Sequence, residues 1–488
     1  MRSILLVLLV ALGCAPTSSN TYGSSSEELI GGATLGQVIA GQNVFNDVGF
    51  SGNGRRCASC HTTVERTLDV GHDLGLGFGA QLAFTLEHST FDLTPAFAEI
   101  VFAEDPGDGL FRAIDSDDGA GLDYTHLRRG LIRVKITLHP NVHVAAVDPA
   151  DADNIETLPD GRQVLTVLRS PPSILNIGLE RNLMWDGRAG ASLAFQAGGS
   201  DGLGGAVGDH FQPGRAATAT ELANVAHFER QLYSRASLAV YAAGGAPPSL
   251  PACTTASECR GRTFFESTPI LVADMAHRGL CATCHSGPML NETNEFNPVQ
   301  PPNPPEADGT CGCVAGGIPF GPQFTVHTLP DGSCPAQLLP TVPRTIGGVP
   351  SCVHRMTNNV VSERNNAALP EYVFSGLDPV FGPIAFQSPD LGHPMISGNL
   401  CEVWAACFLN GPGQTQSIFR ISSLRGVSRK QRFFHDNSQT TLDGVLDHAQ
   451  DFFHETAVGL AAFGDPNAAA FEISEADATD IVAFMRLL

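Results

Sequence analysis

The chain contains the string Cys-x-x-Cys-His twice, as Cys57-Ala58-Ser59-Cys60-His61 and as Cys281-Ala282-Thr283-Cys284-His285. In such a string the two thiols add to the vinyl groups of a porphyrin and the adjoining histidine binds the iron from one side, the attachment chemistry of a c-type haem. A zinc or redox cysteine pair with a histidine beside it by accident would have to arise twice. The sequence therefore predicts two covalent haems, held through Cys57, Cys60 and His61 and through Cys281, Cys284 and His285. A chain built around two such cofactors must wrap apolar structure around each, which sets the terms for everything else. Because the strings lie far apart, each is expected to open its own unit. The boundary is placed in the Gly/Pro stretch from Gly244 to Pro251, giving domains at 31–248 and 249–488.

Met1-Arg2-Ser3 is followed by an apolar run from Ile4 to Leu12, too short to span a bilayer as a mature helix and readable as a secretory signal. It ends in Ala11-Leu12-Gly13-Cys14, similar to a bacterial lipobox in which Cys14 is lipidated. The expected layout is a signal peptide at 1–14, a Ser/Thr-rich tether at 15–30, and a periplasmic or outer-membrane-anchored lipoprotein that touches membrane only through Cys14. Of the 13 cysteines, setting aside Cys14 and the four of the haem strings leaves Cys253, Cys259, Cys311, Cys313, Cys334, Cys352, Cys401 and Cys407. An even remainder in an exported chain predicts structural disulfides, with Cys253–Cys259 and Cys401–Cys407 as local loops. The net charge of −22 is spread along the chain, which argues against nucleic acid and against anionic lipid as partners.

Helical periodicity is clear near both ends: Leu35, Ile39 and Val44 precede the first haem string, and Ile473, Ala476, Ile481, Phe484 and Leu488 share one face of the tail. Leu131 to Ile136 alternates apolar and charged residues and reads as one short strand. Elsewhere 52 Gly and 33 Pro suggest helices joined by long loops. The expected fold class is thus mainly α, and no internal repeat is visible beyond the haem string itself.

Several segments resemble the bacterial dihaem cytochrome c peroxidase and MauG superfamily. They are Arg169-Ser170-Pro171-Pro172-Ser173-Ile174-Leu175-Asn176, Trp185-Asp186-Gly187-Arg188-Ala189, His285-Ser286-Gly287-Pro288, Phe419 to Gly426, and Phe433-Phe434-His435-Asp436-Asn437, in the family's order. Leu110 to Asp115 and Asp447 to Phe453 look more like a divergent branch, distantly similar to dihaem rubber oxygenase. The resemblance implies two cytochrome-c-like haem domains with long loop insertions, the haems facing across an interface that often holds one calcium ion, for which Asn176 is a candidate. It also implies that the haem on His61 reacts with peroxide or oxygen, while the haem on His285 passes electrons from a small donor protein, a cytochrome c or cupredoxin. Trp185 would relay electrons between them or simply pack in the core, and His435 would sit near a haem propionate.

Two departures from the family's pattern matter. Where its peroxidases place a distal glutamate, this chain has Leu193-Ala194-Phe195-Gln196, so Phe195 would make the pocket apolar and remove a proton shuttle worth about 10²–10⁴-fold. Where the family places a distal Met or Tyr, the chain has Ala449. Along Leu442 to His454 the neighbouring His448 is then the favoured sixth iron ligand, with His454 as a lesser candidate and Met289 and Met395 left open. His72, His88, His126, His139 and His143 are lower-ranked ligands for the first iron. The leading function is peroxide reduction at the N-terminal haem. The alternatives are oxygen-dependent oxidation of an apolar organic substrate there, and a non-enzymatic periplasmic electron carrier.

Overall fold

The computed structural model describes residues 32–61, 126–180, 183–188, 203–266 apart from 212, 279–292, 369–378, 382–400 apart from 399, and 417–488 apart from 463 and 465–467. Between 313 and 359 it describes only the backbone of short strands. The helices are α1 (Leu35–Asp47), α2 (Leu203–Phe211), α3 (Ala219–Glu229), α4 (Ala236–Ala242), α5 (Ala256–Thr263), α6 (Leu442–Ala462) and α7 (Glu475–Met485), besides single turns. Four of them start with one device, a hydroxyl at the N-cap and a carboxylate or amide three residues on. The pairs are Thr34 with Gln37, Thr218 with Glu221, Thr255 with Glu258, and Ser474 with Asp477. Each pair satisfies backbone N–H groups that the first turn would otherwise leave unbonded. The helices expected near both ends are present as α1 and α7. The buried face of α1 is Val38, Gly41, Val44 and Phe45, with Ile39 exposed, so it lies one position round from the expected stripe.

The structure contains a duplication that the sequence conceals. Helix α1 crosses α3, and α5 crosses α7, each time at a glycine. A methyl group added at Gly41 would lie 1.9 Å from the Asn224 carbonyl oxygen, and one added at Gly261 would lie 1.9 Å from that of Asp480. Beside each crossing two phenylalanine rings pack at a centroid distance of 5.3 Å, Phe45 on Phe228 and Phe265 on Phe484. A Cys-x-x-Cys-His string follows α1 and another follows α5. Further on, the loops 169–188 and 419–438 trace the same path. Asn176 and Gly426, Met184 and Phe434, and Gly187 and Asn437 occupy the left-handed region in matching places. The Ser173 and Ser423 hydroxyls accept from the N–H two residues on, at 3.2 and 3.1 Å. Asp186 and Asp436 do likewise, at 3.2 and 3.0 Å. The two loops then exchange backbone hydrogen bonds reciprocally: Ser170 N–H donates to the His435 carbonyl (2.6 Å) and Arg420 N–H to that of Trp185 (2.9 Å).

Between these helical units lies the feature that overturns the mainly α expectation and, with it, the cytochrome-c-like fold. The described region is 40% helical and 18% strand, a mixed α/β structure. Strands β1 (Ile132–Thr137), β4 (Gln163–Arg169) and β3 (Ile155–Thr157) form one antiparallel sheet in the order β1-β4-β3. A second is ordered β6 (Gly382–Ser388), β5 (Tyr372–Asp378), β2 (His143–Ala146). Ser417–Arg420 pairs with Met356–Asn359, and two further two-stranded ladders join Cys313–Val314 to Thr325–Val326 and Thr341–Ile346 to Val349–His354. The expected strand at 131–136 is β1, but its partners were hidden. In the second sheet β2 meets a strand more than two hundred residues away, Val144 opposite Phe374 and Ala146 opposite Tyr372. Both sheets turn Val134, Ile136, Val144, Leu165, Val167, Phe374 and Phe386 into one core. Full burial of each such side chain is worth about 1.5–3 kcal/mol, which offsets the entropy of closing so long a loop.

Replacing Gly41 or Gly261 by Ala should each cost at least about 1–3 kcal/mol in urea-induced unfolding, because a backbone carbonyl must move. Gly36→Ala, at an exposed helical position with open space, should instead stabilise by about 0.5–1 kcal/mol. Equal effects at all three glycines would refute the close crossings.

Candidate functional site

The first Cys-x-x-Cys-His string forms one helical turn, Cys57–Cys60, with His61 closing it. It opens onto a cavity of about 1060 Å³, counting the space open to solvent at its mouth. Apolar side chains dominate its walls: Ile132 and Val134 from β1, Ile174, Ile177, Leu183 and Met184 from the first loop, and Leu203 and Phe211 from α2. Arg55, Arg56 and Arg188 add positive charge. Burial, and then the nearby His210, push the His61 imidazole down to about 4, so it is neutral near pH 7 and able to donate a lone pair. His210 comes from α2, whose end is tied to the segment before Cys57. Asn53 donates from Nδ2 to the His210 carbonyl (2.9 Å) and from N–H to that of Phe211 (2.9 Å).

The second string, Cys281 to His285, lies against the α5–α7 core, with Cys281 packed on the cluster that holds Leu280, Leu446 and Phe484. The Leu290 carbonyl lies 2.9 Å from Nδ1 of His285. With Nδ1 donating to that carbonyl, the Nε2 lone pair is left free to bind a metal. Burial pushes the Cys281 thiol up to about 12 and that of Cys57 higher still. None of the four string cysteines is in a disulfide, whereas Cys253 and Cys259 are bonded to each other as expected. Two unlinked thiols beside a neutral, partly buried imidazole are the donor set that covalent haem attachment requires, and both strings fit it.

Arg169 on the cavity wall centres a buried ionic triad. Arg169, 2% exposed, donates Nε and Nη2 to the two Asp390 carboxylate oxygens at 2.6 and 2.9 Å, and Nη1 to Asp186 at 2.5 Å. Arg188 adds a bond to Asp186 at 2.7 Å. Burial alone would raise the Asp186 carboxyl, but the two guanidinium groups outweigh it and hold it well below the usual range. Beside the triad, Trp185 donates its indole N–H to the Ser170 carbonyl at 2.7 Å and lines both the large cavity and a smaller one. The smaller cavity is walled by both duplicated loops.

His448, the favoured sixth ligand, is buried, with its ring against Phe434 at 4.8 Å in an edge-on contact. Burial lowers its proton affinity, against the pull of Asp451 and Asp436. His454 is exposed and bound to Glu472 at 2.9 Å, on the surface rather than at either string. His435 stacks on Phe419 at 4.1 Å. Asn176 is committed to Ser234, donating to its hydroxyl (2.9 Å) and accepting from its N–H (2.8 Å). Among the described residues no three His, Cys, Asp or Glu gather to hold a metal ion, and no helix is long and apolar enough to cross a membrane. His126 lines a small polar cavity on the β layer, His139 accepts from the Asn141 N–H (3.1 Å), and His143 is exposed on β2. Met289 belongs to the first helical core and Met395 to the β core. Phe195, Ala194, His72, His88, Cys14, Cys311, Cys334, Cys401 and Cys407 lie outside the described residues, and the Cys313 and Cys352 side chains do too. Sequence reading missed two groups on the cavity wall, His210 and Glu229. Neither lies in a motif, and only the approach of α2 and α3 to the haem string brings them there. No protein-family model, curated protein or solved structure matches the chain.

Arg169→Met should destabilise the protein by about 3–5 kcal/mol, because it leaves Asp390 buried without its cation. Lys135→Met, which removes an exposed pair with Glu156, should cost less than about 1 kcal/mol. The Asp186 contribution is complete above the ordinary aspartate range near pH ~4 and is lost as pH falls through its lower folded value. Urea titrations of the variants at neutral and acid pH test all three statements.

Proposed function

We propose that the chain is an exported dihaem c-type oxidoreductase that reduces hydrogen peroxide at a haem bound through His61. Its electrons arrive from a small donor protein by way of a haem bound through His285. One observation carries the reading: both Cys-x-x-Cys-His strings place unlinked cysteines beside a partly buried histidine of lowered proton affinity, and the first of them opens onto an apolar cavity. Bound there, haem supplies a redox-active iron with a position for an oxygen ligand. Cys57, Cys60, Cys281 and Cys284 would form the thioethers, and Arg55, Arg56 and Arg188 bring the positive charge that haem carboxylates need. The apolar walls exclude water from the reacting oxygen. Trp185, whose indole is held within the first loop by Ser170 and whose carbonyl accepts from Arg420 of the second, places an aromatic ring where an electron would cross from one unit to the other. His448 is the proposed sixth ligand at the second iron. The signal sequence, the lipid anchor at Cys14 and the Cys253–Cys259 disulfide together support export to an oxidising compartment. The same apolar lining favours a second reading, oxygen-dependent oxidation of an apolar substrate.

Intact mass should show two haems on the protein expressed with its signal sequence, and one fewer in a Cys57→Ala, Cys60→Ala variant. Peroxide added to the half-reduced protein should reoxidise it rapidly with turnover of a donor cytochrome. No spectral response would leave an electron carrier in its place, and a response to oxygen alone would favour the second reading. His448→Ala should convert one low-spin ferric signal in the electron paramagnetic resonance spectrum to high-spin; an unchanged spectrum removes His448 as a ligand.

A further inference from the structure

We infer that Glu229, the last residue of α3, is the general acid of the large cavity and delivers the proton on which O–O cleavage depends. The inference rests on the peroxide-reducing reading above and supplies the group missing after Trp185-Asp186-Gly187-Arg188, where the chain has Leu193-Ala194-Phe195-Gln196. Glu229 lines the same cavity as His61, is 3% exposed, and its Oε2 has no hydrogen-bond partner among the described residues. Burial in apolar surroundings pushes the carboxyl up to about 8, so near pH 7 it carries a proton to give. The charged and titratable groups around it on the cavity wall are Arg55, Arg56, Cys57, Cys60 and His61 at the first string, His210 on α2, Arg169 and Arg188 on the first loop, and Arg420 on the second.

A structural role accounts poorly for such a residue. An unsatisfied buried carboxyl costs stability, and a leucine of similar size would fill the place better. A group that destabilises the fold while facing a reaction space marks a place where function overrides local consistency. The reaction balances as peroxide plus two electrons and two protons giving two waters. The O–O bond breaks, the Glu229 proton goes to the departing oxygen, and the carboxylate regains a proton from water at the cavity mouth. The second proton comes from solvent, and both electrons come from the one-electron donor protein.

The test uses the full-length haem-loaded protein, reduced and exposed to carbon monoxide as a probe of what faces the iron. A carboxyl O–H beside the bound gas lowers the C–O stretching frequency and makes it sensitive to deuterium. The wild-type band should therefore move between H₂O and D₂O, while in Glu229→Leu it should lie higher and lose that sensitivity. Glu229→Leu should also slow peroxide-driven reoxidation by about 10²-fold or more, with Glu229→Asp retaining most of the rate. A wild-type band indifferent to deuterium overturns the proposal even if Glu229→Leu does not fold, and so does an unchanged band in that variant. If the chain binds no haem, the peroxide-reducing reading fails as well, so the two failures are distinguishable.

Discussion

The architecture depends on one buried cation. Arg169 ends strand β4, opens the first duplicated loop, and divides its charge between Asp186 in that loop and Asp390 just after β6. A guanidinium so deeply buried cannot shed its proton, so the carboxylates must stay where its fork directs them. That requirement fixes three things at once: the end of the first sheet, the path of the loop that walls the cavity, and the second-half segment that follows the second sheet. Its cost in desolvation is large, and its return is registration rather than stability. Asp186 also accepts the Arg188 N–H, so Trp185 inherits its orientation from the same triad.

The duplicated loops show how one backbone path hosts different chemistry. At matching places the first loop has Leu183, Met184 and Trp185, and the second has Phe433, Phe434 and His435. Left-handed residues and side-chain-to-backbone bonds hold the path constant, and those constraints tolerate many sequences. The side chains then decide the space. Met184 borders an open cavity, whereas Phe434 packs on His448 within the second core. A site with room can admit a reactant and a filled site can only hold its cofactor still.

The β layer explains how two helical units become one body. The two sheets share a core, and one of them takes β2 from the first half of the chain and β5 and β6 from the second. The halves are thereby joined by strand pairing as well as by the reciprocal loop bonds, which leaves little freedom for them to separate.

What the sequence determined by itself is what depends on short-range chemistry. The two Cys-x-x-Cys-His strings, the helices at both ends, the Cys253–Cys259 loop and the strand at β1 can all be read from spacing and local pattern. Other features needed the tertiary structure. Strand partners hundreds of residues apart leave no local trace, so the mixed α/β character stayed hidden behind a chain rich in Gly and Pro. The duplication stayed hidden because it is carried by backbone angles and a glycine at each helix crossing rather than by residue identity. The cavity group Glu229 was invisible for a related reason: a lone carboxyl at a helix end means little until folding removes its water and places it on the wall of the cavity that His61 also lines.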